Sequence, residues 1–393
     1  MKNRIAFVCQ RYGLEVNGGA ELYCRQVAEK LTELYDVTIY TTCAVDYVTW
    51  SNYYANMEED INGVHVKRFP VSQERDNVEF GKIHEYVMTH PNHTAAKEEE
   101  WVQKQGPVCD ALLECLDQER HQYQAILFMT YLYYLTVKGS MKDYDNAILI
   151  PTVHDEPPVY LRIYDKVFAA AKGIAWNTEE ERAFARKRFP FIKNTPEIMT
   201  GIGIEGPQAV LPDLPDTIKN TRYVVYAGRI DESKGCGEMF DFFLRYKQEH
   251  AGSSLKLVLM GKPVLKVPSH PDIISLGFVS EEMKFAVMEQ AVALLLHSRF
   301  ESLSMVVLES MYMSRPVLVT GKCEVLKGHC VRSNAGLYFG TYEEFSGALD
   351  YLLTHPLEYE QMRVNGKEYV NTNYRWEVIV DKYRQIIETV GKK

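Results

Sequence analysis

The sequence predicts an α/β protein of two domains, each built around a parallel sheet. Short apolar runs alternate with amphipathic segments along the chain, the pattern typical of such sheets. The chain has 393 residues, more than one ordinary core holds. Residues 207–220 contain three prolines and no periodicity, which indicates a linker. Ligands of paired α/β domains generally bind at the carboxyl ends of the strands, so the functional residues are expected in the loops that follow strands.

Each predicted element follows from a local pattern. In the first domain a helix is expected over 20–34, and strands are expected at 4–10, 37–42, 64–71, 125–129, 147–155 and 172–178. In the second domain helices are expected around 238–249 and 281–290, and strands at 223–228, 255–261, 273–278, 291–298 and 315–321. The final segment places Val380, Tyr383, Ile387 and Val390 at helical spacing, and this apolar face must pack on something.

The composition is that of a globular protein and narrows the choice of partners. The net charge is −9, which argues against nucleic acid as the main partner. Eight scattered cysteines without a C-x-x-C pair suggest reduced, mostly buried thiols. The start of the chain has only a short apolar run, and no run reaches the roughly 18 apolar residues of a membrane span. The expected location is the cytoplasm.

Two glycine-bearing loops are candidates for binding an anion. Gly18 and Gly19 precede the first helix and allow close approach to its free N–H groups. The pattern is not G-x-G-x-x-G, and a plain turn before a helix is the alternative. In the second domain Gly228 ends a strand, and Arg229 and Lys234 follow before the next helix. They could clamp a diphosphate or be solvated charges.

The stretch FESLSMVVLES places Glu301 and Glu309 eight positions apart. It predicts a loop and then a helix, with Ser302 or Ser304 as the N-cap. If both glutamates were helical, they would lie about 80° apart in azimuth and about 12 Å apart along the axis, which suits neither a shared metal nor an acid–base pair. Two carboxylates binding hydroxyls on different parts of an elongated ligand fit better. A solvent-facing Glu309 with Glu301 as a loop charge is the alternative.

One histidine stands just beyond a predicted strand. His154 in IPTVHDEPP could hydrogen-bond a sugar hydroxyl or a phosphate oxygen, or it could be structural. The sequence has no Ser/His/Asp order, H-E-x-x-H motif or Walker loop.

Taken together, these residues resemble glycosyltransferase family 4. The resemblance is carried by NGGAE, TVHD, YAGRIDESKG, LGFVS and FESLSMVVLESMYMSRPVLV, in this order over almost the whole chain. It implies the GT-B fold, with two Rossmann-like domains facing a central cleft and a last helix that crosses back to the first domain. The expected domains are 1–205, which binds the acceptor, and 206–375, which binds a nucleotide sugar, followed by the helix at 376–393.

The resemblance also implies roles for individual residues. Arg229 and Lys234 would hold the donor diphosphate, Glu309 the ribose and Glu301 the transferred sugar, with His154 at the sugar on the acceptor side. The remaining donor-binding residues would be the Gly18–Gly19 loop, the strand-end glycines Gly228 and Gly261, the base-pocket residues Phe278 and Val279, and the backbone N–H groups of Ser302, Leu303 and Ser304. The family text E-G-F-G is here ESLS, so local contacts with the donor are expected to differ.

The implied reaction is retaining transfer of a hexose from a nucleotide-diphosphate sugar to a hydroxyl of a glycan, a lipid-linked or a small-molecule acceptor. No metal or other cofactor is expected, because cationic side chains and helix N-termini can stabilise a leaving diphosphate. The aromatic stretches 46–57 and 128–136 could stack on sugars or belong to the core. Residues 182–194 could rest on an anionic membrane at the cytoplasmic face or form a solvated helix face. A catalytically silent nucleotide-sugar-binding subunit is the alternative, and an oxidoreductase lacks its glycine fingerprint.

Overall fold

The computed structural model describes residues 2–16 and 18–391. The chain divides into two compact units, one formed by Met1–Ile202 with Glu377–Lys393 and the other by Gly203–Trp376. The boundaries expected from the sequence, 205/206 and 375/376, lie within a few residues of this division.

The first unit contains an eight-stranded sheet in the order β3-β4-β2-β1-β5-β6-β7-β8. Its elements are β1 (Asn3–Val8), α1 (Gly19–Leu31), β2 (Tyr35–Thr42), β3 (Glu58–Ile61), β4 (Val64–Phe69), α2 (Asn77–Thr89), α3 (Ala95–Gln105), α4 (Asp110–Glu119), β5 (Ala125–Met129), α5 (Tyr134–Ser140), β6 (Ala147–Ile150), α6 (Ile163–Ala170), β7 (Gly173–Trp176), α7 (Glu179–Arg188) and β8 (Glu197–Met199). Strand β3 runs antiparallel to β4, and the other neighbours pair in parallel. The central strands are fully buried, as expected for apolar runs covered on both faces.

The second unit contains a six-stranded parallel sheet in the order β11-β10-β9-β12-β13-β14. Its elements are β9 (Tyr223–Ala227), α8 (Cys236–Glu249), β10 (Lys256–Met260), β11 (Ile273–Gly277), α9 (Glu281–Gln290), β12 (Leu294–Leu296), α10 (Met305–Tyr312), β13 (Val317–Thr320), α11 (Glu324–Ser333), β14 (Gly336–Phe339), α12 (Tyr342–Thr354) and α13 (Pro356–Asn373). Residues 207–220 form neither helix nor strand, as the prolines predict. Each unit is thus a Rossmann-like α/β layer structure, which confirms the prediction of two Rossmann-like domains.

The last helix, α14 (Trp376–Val390), packs in the first unit from Glu377 onward, as predicted. The Tyr383 hydroxyl lies 2.6 Å from that of Tyr23, which in turn donates to the Gly201 carbonyl. The buried face differs from the predicted one in one member, because Val380 is only half-buried. The buried positions are Ile379, Tyr383, Ile386, Ile387 and Val390.

All eight cysteines are free thiols, and seven of them are buried, as their spacing predicts. Within residues 2–16 and 18–391, no helix combines the length and the apolar character needed to cross a membrane.

Candidate functional site

Three neighbouring strands of the second unit end in or just before glycine. The Gly228 amide donates to the Met260 carbonyl at 2.9 Å, and the Gly261 amide donates to the Gly277 carbonyl at 2.7 Å. A Cβ on Gly261, which has φ +146°, would lie 1.8 Å from the Gly228 carbonyl oxygen. These glycines after β9, β10 and β11 therefore form a floor of closely packed backbone, which we call the glycine floor. The predicted donor residues Gly228 and Gly261 are thus brought together.

The turn after Gly228 is organised by an aspartate that the sequence analysis did not single out. Asp231 accepts hydrogen bonds from the Ser233 hydroxyl at 2.7 Å and from the Lys234 amide at 3.0 Å, and it pairs with the Arg229 guanidinium. Burial alone would raise the pKa of Asp231, but the hydrogen bonds from Ser233 and Lys234 and the Arg229 charge lower it. Asp231 is therefore ionised and fixes both the turn and Arg229.

The two halves of the predicted site meet in an ion pair. Lys234 Nζ lies 2.7 Å from Glu301 Oε1, although the residues are 67 positions apart. The side chains keep 32% and 15% of their surface exposed, so a ligand can reach both. The loop after β12 and the turn after β9 therefore present one cation and one carboxylate at the same edge of the sheet.

The loop between Glu301 and helix α10 is strained where the resemblance leads one to expect glycine. Ser304 has φ +66° and ψ +75°, the left-handed conformation that glycine tolerates best. Ser304 is the N-cap residue of α10, one of the two that the sequence predicts, but its side chain makes no capping hydrogen bond. The buried Ser304 hydroxyl finds no hydrogen-bond partner among the described residues.

A buried histidine on α11 forms a hydrogen bond with this loop. His329 Nε2 lies 2.8 Å from the Leu303 carbonyl and therefore donates to it, while Nδ1 accepts from the Tyr369 hydroxyl at 3.2 Å. Burial, with a smaller effect of the Arg332 charge, lowers the pKa of His329 to about 4, so the imidazole is neutral. The loop is thus fixed by a neutral tautomer of a residue on α11.

Glu309 lies inside α10 and is almost completely buried. Its Oε1 lies 2.9 Å from Lys284 Nζ, and the same ammonium lies 2.7 Å from Glu281 at the start of α9. Burial raises the pKa of Glu309, and the Lys284 charge opposes that rise. The structure therefore excludes the alternative of a solvent-facing Glu309, and it adds Lys284 as a partner. Of the predicted base-pocket pair, Phe278 is 79% exposed and Val279 is half-buried.

A second charged cluster surrounds Glu238 on α8. Arg299 and Lys322 donate to its carboxylate at 3.1 and 2.7 Å. Burial opposes ionisation, but these two cations lower the pKa of Glu238 to about 2. The arrangement fixes the loops after β12 and β13, and it was not predicted.

In the first unit the predicted glycine loop rests on a buried ion pair. Arg11 Nη2 lies 2.6 Å from Glu21 Oε1, which also accepts from Gln10 Nε2 at 3.0 Å. A Cβ on Gly18 would lie 2.1 Å from Glu21 Oε2, whereas a Cβ on Gly19 would meet no atom within 4 Å. Gly18 is therefore required for packing on Glu21, and Gly19 leaves the helix N-terminus open. The preceding residue of the motif, Asn17, lies outside the described residues.

His154 is oriented by a carboxylate two positions further on. Its Nε2 lies 3.4 Å from Glu156 Oε2, and Glu156 Oε1 accepts from the buried Tyr131 hydroxyl at 2.6 Å. Burial alone would raise the pKa of Glu156, but His154 and Tyr131 lower it. Asp155, which the sequence places beside His154, instead accepts from Tyr160. The partner of His154 within this loop is thus Glu156.

The backbone before His154 is held by a buried glutamate. Glu181 accepts from the Val153 amide at 2.7 Å and from the Asn177 amide at 2.6 Å. Burial raises the pKa of Glu181 to about 8, although its backbone hydrogen bonds oppose that rise. Glu181 therefore ties the ends of β6 and β7 together.

The basic stretch 182–194 is largely neutralised. Arg186 and Arg182 both approach Glu197, and Arg188 pairs with Asp165. These pairs favour the solvated-face interpretation over a face prepared for anionic lipid. Within the described part of the chain, no cluster of three or more His, Cys, Asp or Glu side chains has the arrangement of a metal site.

Part of the second unit matches a family of known proteins. Residues 221–355 match the family model described as glycosyl transferases group 1. A Xenopus tropicalis protein, glycosyltransferase 1 domain-containing protein 1, is 33% identical over 105 residues, which cover 26% of this chain and 29% of that protein. The chain thus matches less than a third of the length of this curated relative.

Solved structures match the whole chain at low identity. Sucrose-phosphate synthase from Thermosynechococcus elongatus has a TM-score of 0.71 at 15% identity, covering 99% of both chains. The E. coli trehalose-6-phosphate structure bound with UDP-2-fluoro glucose has a TM-score of 0.73 at 12% identity, covering 100% and 99%. Anabaena HepE in complex with UDP and glucose has a TM-score of 0.66 at 14% identity, covering 100% of both. At such identities the likeness shows the GT-B fold. The domain match and the fold together indicate a glycosyltransferase.

Proposed function

We propose that the chain is a retaining, metal-independent glycosyltransferase of family 4 that moves a hexose from a nucleotide-diphosphate sugar to an acceptor hydroxyl. The observation that carries this proposal is the Lys234–Glu301 ion pair, which joins the turn after β9 to the loop after β12, with the buried Glu309 on the helix that follows. A cation can bind the phosphates, the first carboxylate can bind hexose hydroxyls, and the second, deeper carboxylate can bind ribose hydroxyls.

In the proposed complex Glu309 binds the ribose. A buried carboxylate needs compensation, and Lys284 supplies it with one oxygen of Glu309 at 2.9 Å. The carboxylate then accepts hydrogen bonds from the two ribose hydroxyls, which are neutral donors that it can bind without adding charge. Phe278, which is 79% exposed, would cover the base.

The diphosphate would bind at the turn after β9 that carries Arg229 and Lys234. Both cations already have anionic partners, Asp231 and Glu301, so they are held in place before the donor arrives. Negative charge that develops on the leaving diphosphate is stabilised by these cations and by N–H groups of residues 302–304 at the start of α10. Glu301, paired with Lys234, is proposed to bind hexose hydroxyls and not to attack the anomeric carbon.

The acceptor hydroxyl would attack the anomeric carbon on the face from which the diphosphate leaves, so that the new C–O bond forms as the bond to the phosphate oxygen breaks and the sugar keeps its anomeric configuration. The leaving phosphate oxygen would take the proton of the attacking hydroxyl. In the first unit, His154 is proposed to hydrogen-bond a sugar hydroxyl, and the Glu156–Tyr131 pair keeps its ring oriented. One of the similar structures is bound with UDP-2-fluoro glucose and another with UDP and glucose. UDP-glucose is therefore the first donor to test.

The direct test is a panel of UDP-, GDP- and dTDP-sugars, measured by thermal shift and by release of nucleoside diphosphate with and without acceptors. Stabilisation by one sugar nucleotide, with turnover on an acceptor, is the expected result. Stabilisation by NAD(H) and by no sugar nucleotide would refute the proposal. Stabilisation by a sugar nucleotide without turnover on any acceptor would favour a silent binding subunit.

Two finer claims have their own measurements. Proton NMR of the first product formed gives the anomeric configuration, and inversion would contradict the retaining assignment. Full activity after exhaustive treatment with EDTA is expected, and activity that is lost with EDTA and restored by a divalent cation would contradict metal independence.

A further inference from the structure

A groove of about 560 Å³ lies on the first unit along the edge strand β3, and His154 is not among its lining residues. It runs between the segment at Leu14–Glu15, the loop Tyr53–Asn56 and the strand–turn segment Glu59–Asn62, and we call it the edge groove. Its volume is within the range of small-molecule sites. None of these lining residues has a role in the proposed donor site.

The floor of the edge groove is built from interlocking contacts. The Tyr54 hydroxyl donates to Glu15 Oε2 at 2.7 Å, and the Tyr54 ring stacks on the Arg68 guanidinium at 4.0 Å. Arg68 is completely buried, pairs with Glu59 and donates to the Tyr12 carbonyl at 3.1 Å. The floor is therefore preorganised and does not have to form on binding.

The groove exposes an aromatic ring together with carboxylate and amide side chains. Tyr53 packs edge-on against Tyr54, with ring centroids 5.1 Å apart, and keeps 63% of its surface exposed. The exposed side chains of Asn56, Asp60 and Asn62 provide carboxylate and amide groups beside this ring. A flat apolar face next to acceptors and amides is the chemistry that binds a sugar ring, whose C–H face stacks while its hydroxyls donate.

The charge of the groove decides between classes of ligand. Among its described lining residues none is lysine or arginine, and Glu15, Glu59 and Asp60 are acids. Phosphorylated sugars, nucleotides and anionic lipids would therefore be repelled. The three carboxylates have separate partners in Tyr54, Arg68 and His65, so they do not converge on one point as the ligands of a metal would.

The groove is joined to the glycine loop by the chain itself. Leu14 and Glu15 lie just before Gly18, and Arg11 of the same segment donates to the Val45 carbonyl at 2.9 Å and stacks on Tyr47 at 5.5 Å. We propose that the edge groove binds an uncharged stretch of the acceptor, so that the acceptor is a neutral oligosaccharide chain and not a sugar phosphate. This inference rests on the proposed function and names its acceptor class.

The test is direct binding, which requires neither donor nor turnover. Saturation-transfer NMR and calorimetry on the full chain would use maltohexaose, cellohexaose and mannohexaose as neutral probes, with hexagalacturonate and hexalysine as charged ones. At least one neutral probe is expected to bind, and Tyr53→Ala is expected to weaken it about tenfold or more. Tyr86→Ala on α2 is the matched control, because Tyr86 is also an exposed tyrosine of this unit but stacks on His90 elsewhere. It should bind like the wild type.

A second variant tests the charge of the edge groove and leaves the Tyr53 ring unchanged. Asp60→Lys places a cation in the groove and is expected to weaken the neutral probe while allowing hexagalacturonate to bind. No binding of any neutral probe, equal binding by Tyr53→Ala, or binding of hexalysine alone would each overturn the inference. A chain that binds a neutral probe through Tyr53 but transfers no sugar would contradict the proposed function alone. A chain that turns over donor without binding any neutral probe would contradict the edge groove alone.

Discussion

The two units use similar sheets but prepare their sites in different ways. In the second unit the candidate residues are charged and paired across the sheet edge, as in Lys234–Glu301 and Lys284–Glu309. In the first unit the Arg11–Glu21 charges lie beneath the surface, and the edge groove presents the exposed Tyr53 ring beside amide and carboxylate groups. Pre-paired charges suit a ligand that carries fixed negative charge, and exposed rings suit a neutral one. The difference is consistent with a donor in the second unit and a saccharide in the first.

The largest effect is expected from breaking the pair that defines the second unit. Lys234→Ala removes the cation proposed to hold the diphosphate and leaves Glu301, only 15% exposed, without that partner. Transfer should fall about 10²- to 10³-fold, as when a preorganised charge is lost from a transition state. Lys327→Ala is the control, because Lys327 is a half-exposed lysine whose contacts with Glu324, at 3.9 Å, and with the Tyr338 ring, at 5.6 Å, are long. Comparable losses in kcat/KM for both variants would contradict a specific role for Lys234.

Replacing three glycines by alanine tests whether the glycine floor of the second unit is packed more tightly than the glycine loop of the first. At Gly261 the new Cβ would meet backbone at 1.8 Å, at Gly18 a glutamate side chain at 2.1 Å, and at Gly19 nothing within 4 Å. The free energy of unfolding should fall by about 3 kcal/mol for Gly261→Ala, by about 1 for Gly18→Ala, and by less than about 0.5 for Gly19→Ala. Chemical denaturation measures the series. A reversed order would show that the glycine floor adapts more easily than the loop on Glu21.

His329 should make the loop at Leu303 sensitive to acid. Its pKa is about 4 in the folded chain and near 6.5 when unfolded, so the unfolded state binds more protons between these values. The stability it contributes is present above pH 6.5 and is lost as the pH falls toward 4, by on the order of 2 kcal/mol. His329→Gln, which keeps a donor for the Leu303 carbonyl, should remove that part of the pH dependence. An unchanged slope between pH 6.5 and 4 would exclude a buried neutral His329.

The smallest effect is expected at Ser304. Glycine there relieves the left-handed strain, and Ser304→Gly should raise the free energy of unfolding by about 0.5–1 kcal/mol. The same change in the right-handed helix α12, Ser346→Gly, should lower it by a similar amount. If both variants lose stability equally, Ser304 is not strained.

The sequence predicted the fold and the second unit's residues more fully than the first unit's site. The strand at 125–129 and the helix at 281–290 were predicted with their observed bounds, because each is one uninterrupted pattern. Strands β3, β8 and β14 were missed because EEDI is mostly polar, EIM is only three residues long and GLYF is half-exposed, so none shows a buried period. Helices α2 to α6 and α11 to α13 were also not predicted individually.

The site divides in the same way. Lys234 and Glu301 could be found because each follows a strand in a compact motif, and Asp231, two positions after Arg229, could have been found from the same turn. Lys284 and His329 could not, because each lies in a helix distant in sequence from the loop it supports, and only packing brings them there. The edge groove likewise joins segments that no local pattern connects. The roles assigned to individual residues, His154 among them, remain predictions.

The most direct test of donor binding by the second unit uses two carboxylates that share one lysine. Glu309 and Glu281 both contact Lys284, but Glu309 is buried whereas the Glu281 side chain is 71% exposed. Calorimetry should measure the nucleoside diphosphate that stabilises the wild type most. Its Kd should rise at least about tenfold in Glu309→Ala and stay unchanged in Glu281→Ala. Equal affinity in Glu309→Ala and the wild type, with both folded, would contradict ribose binding by Glu309 and the donor site built on it.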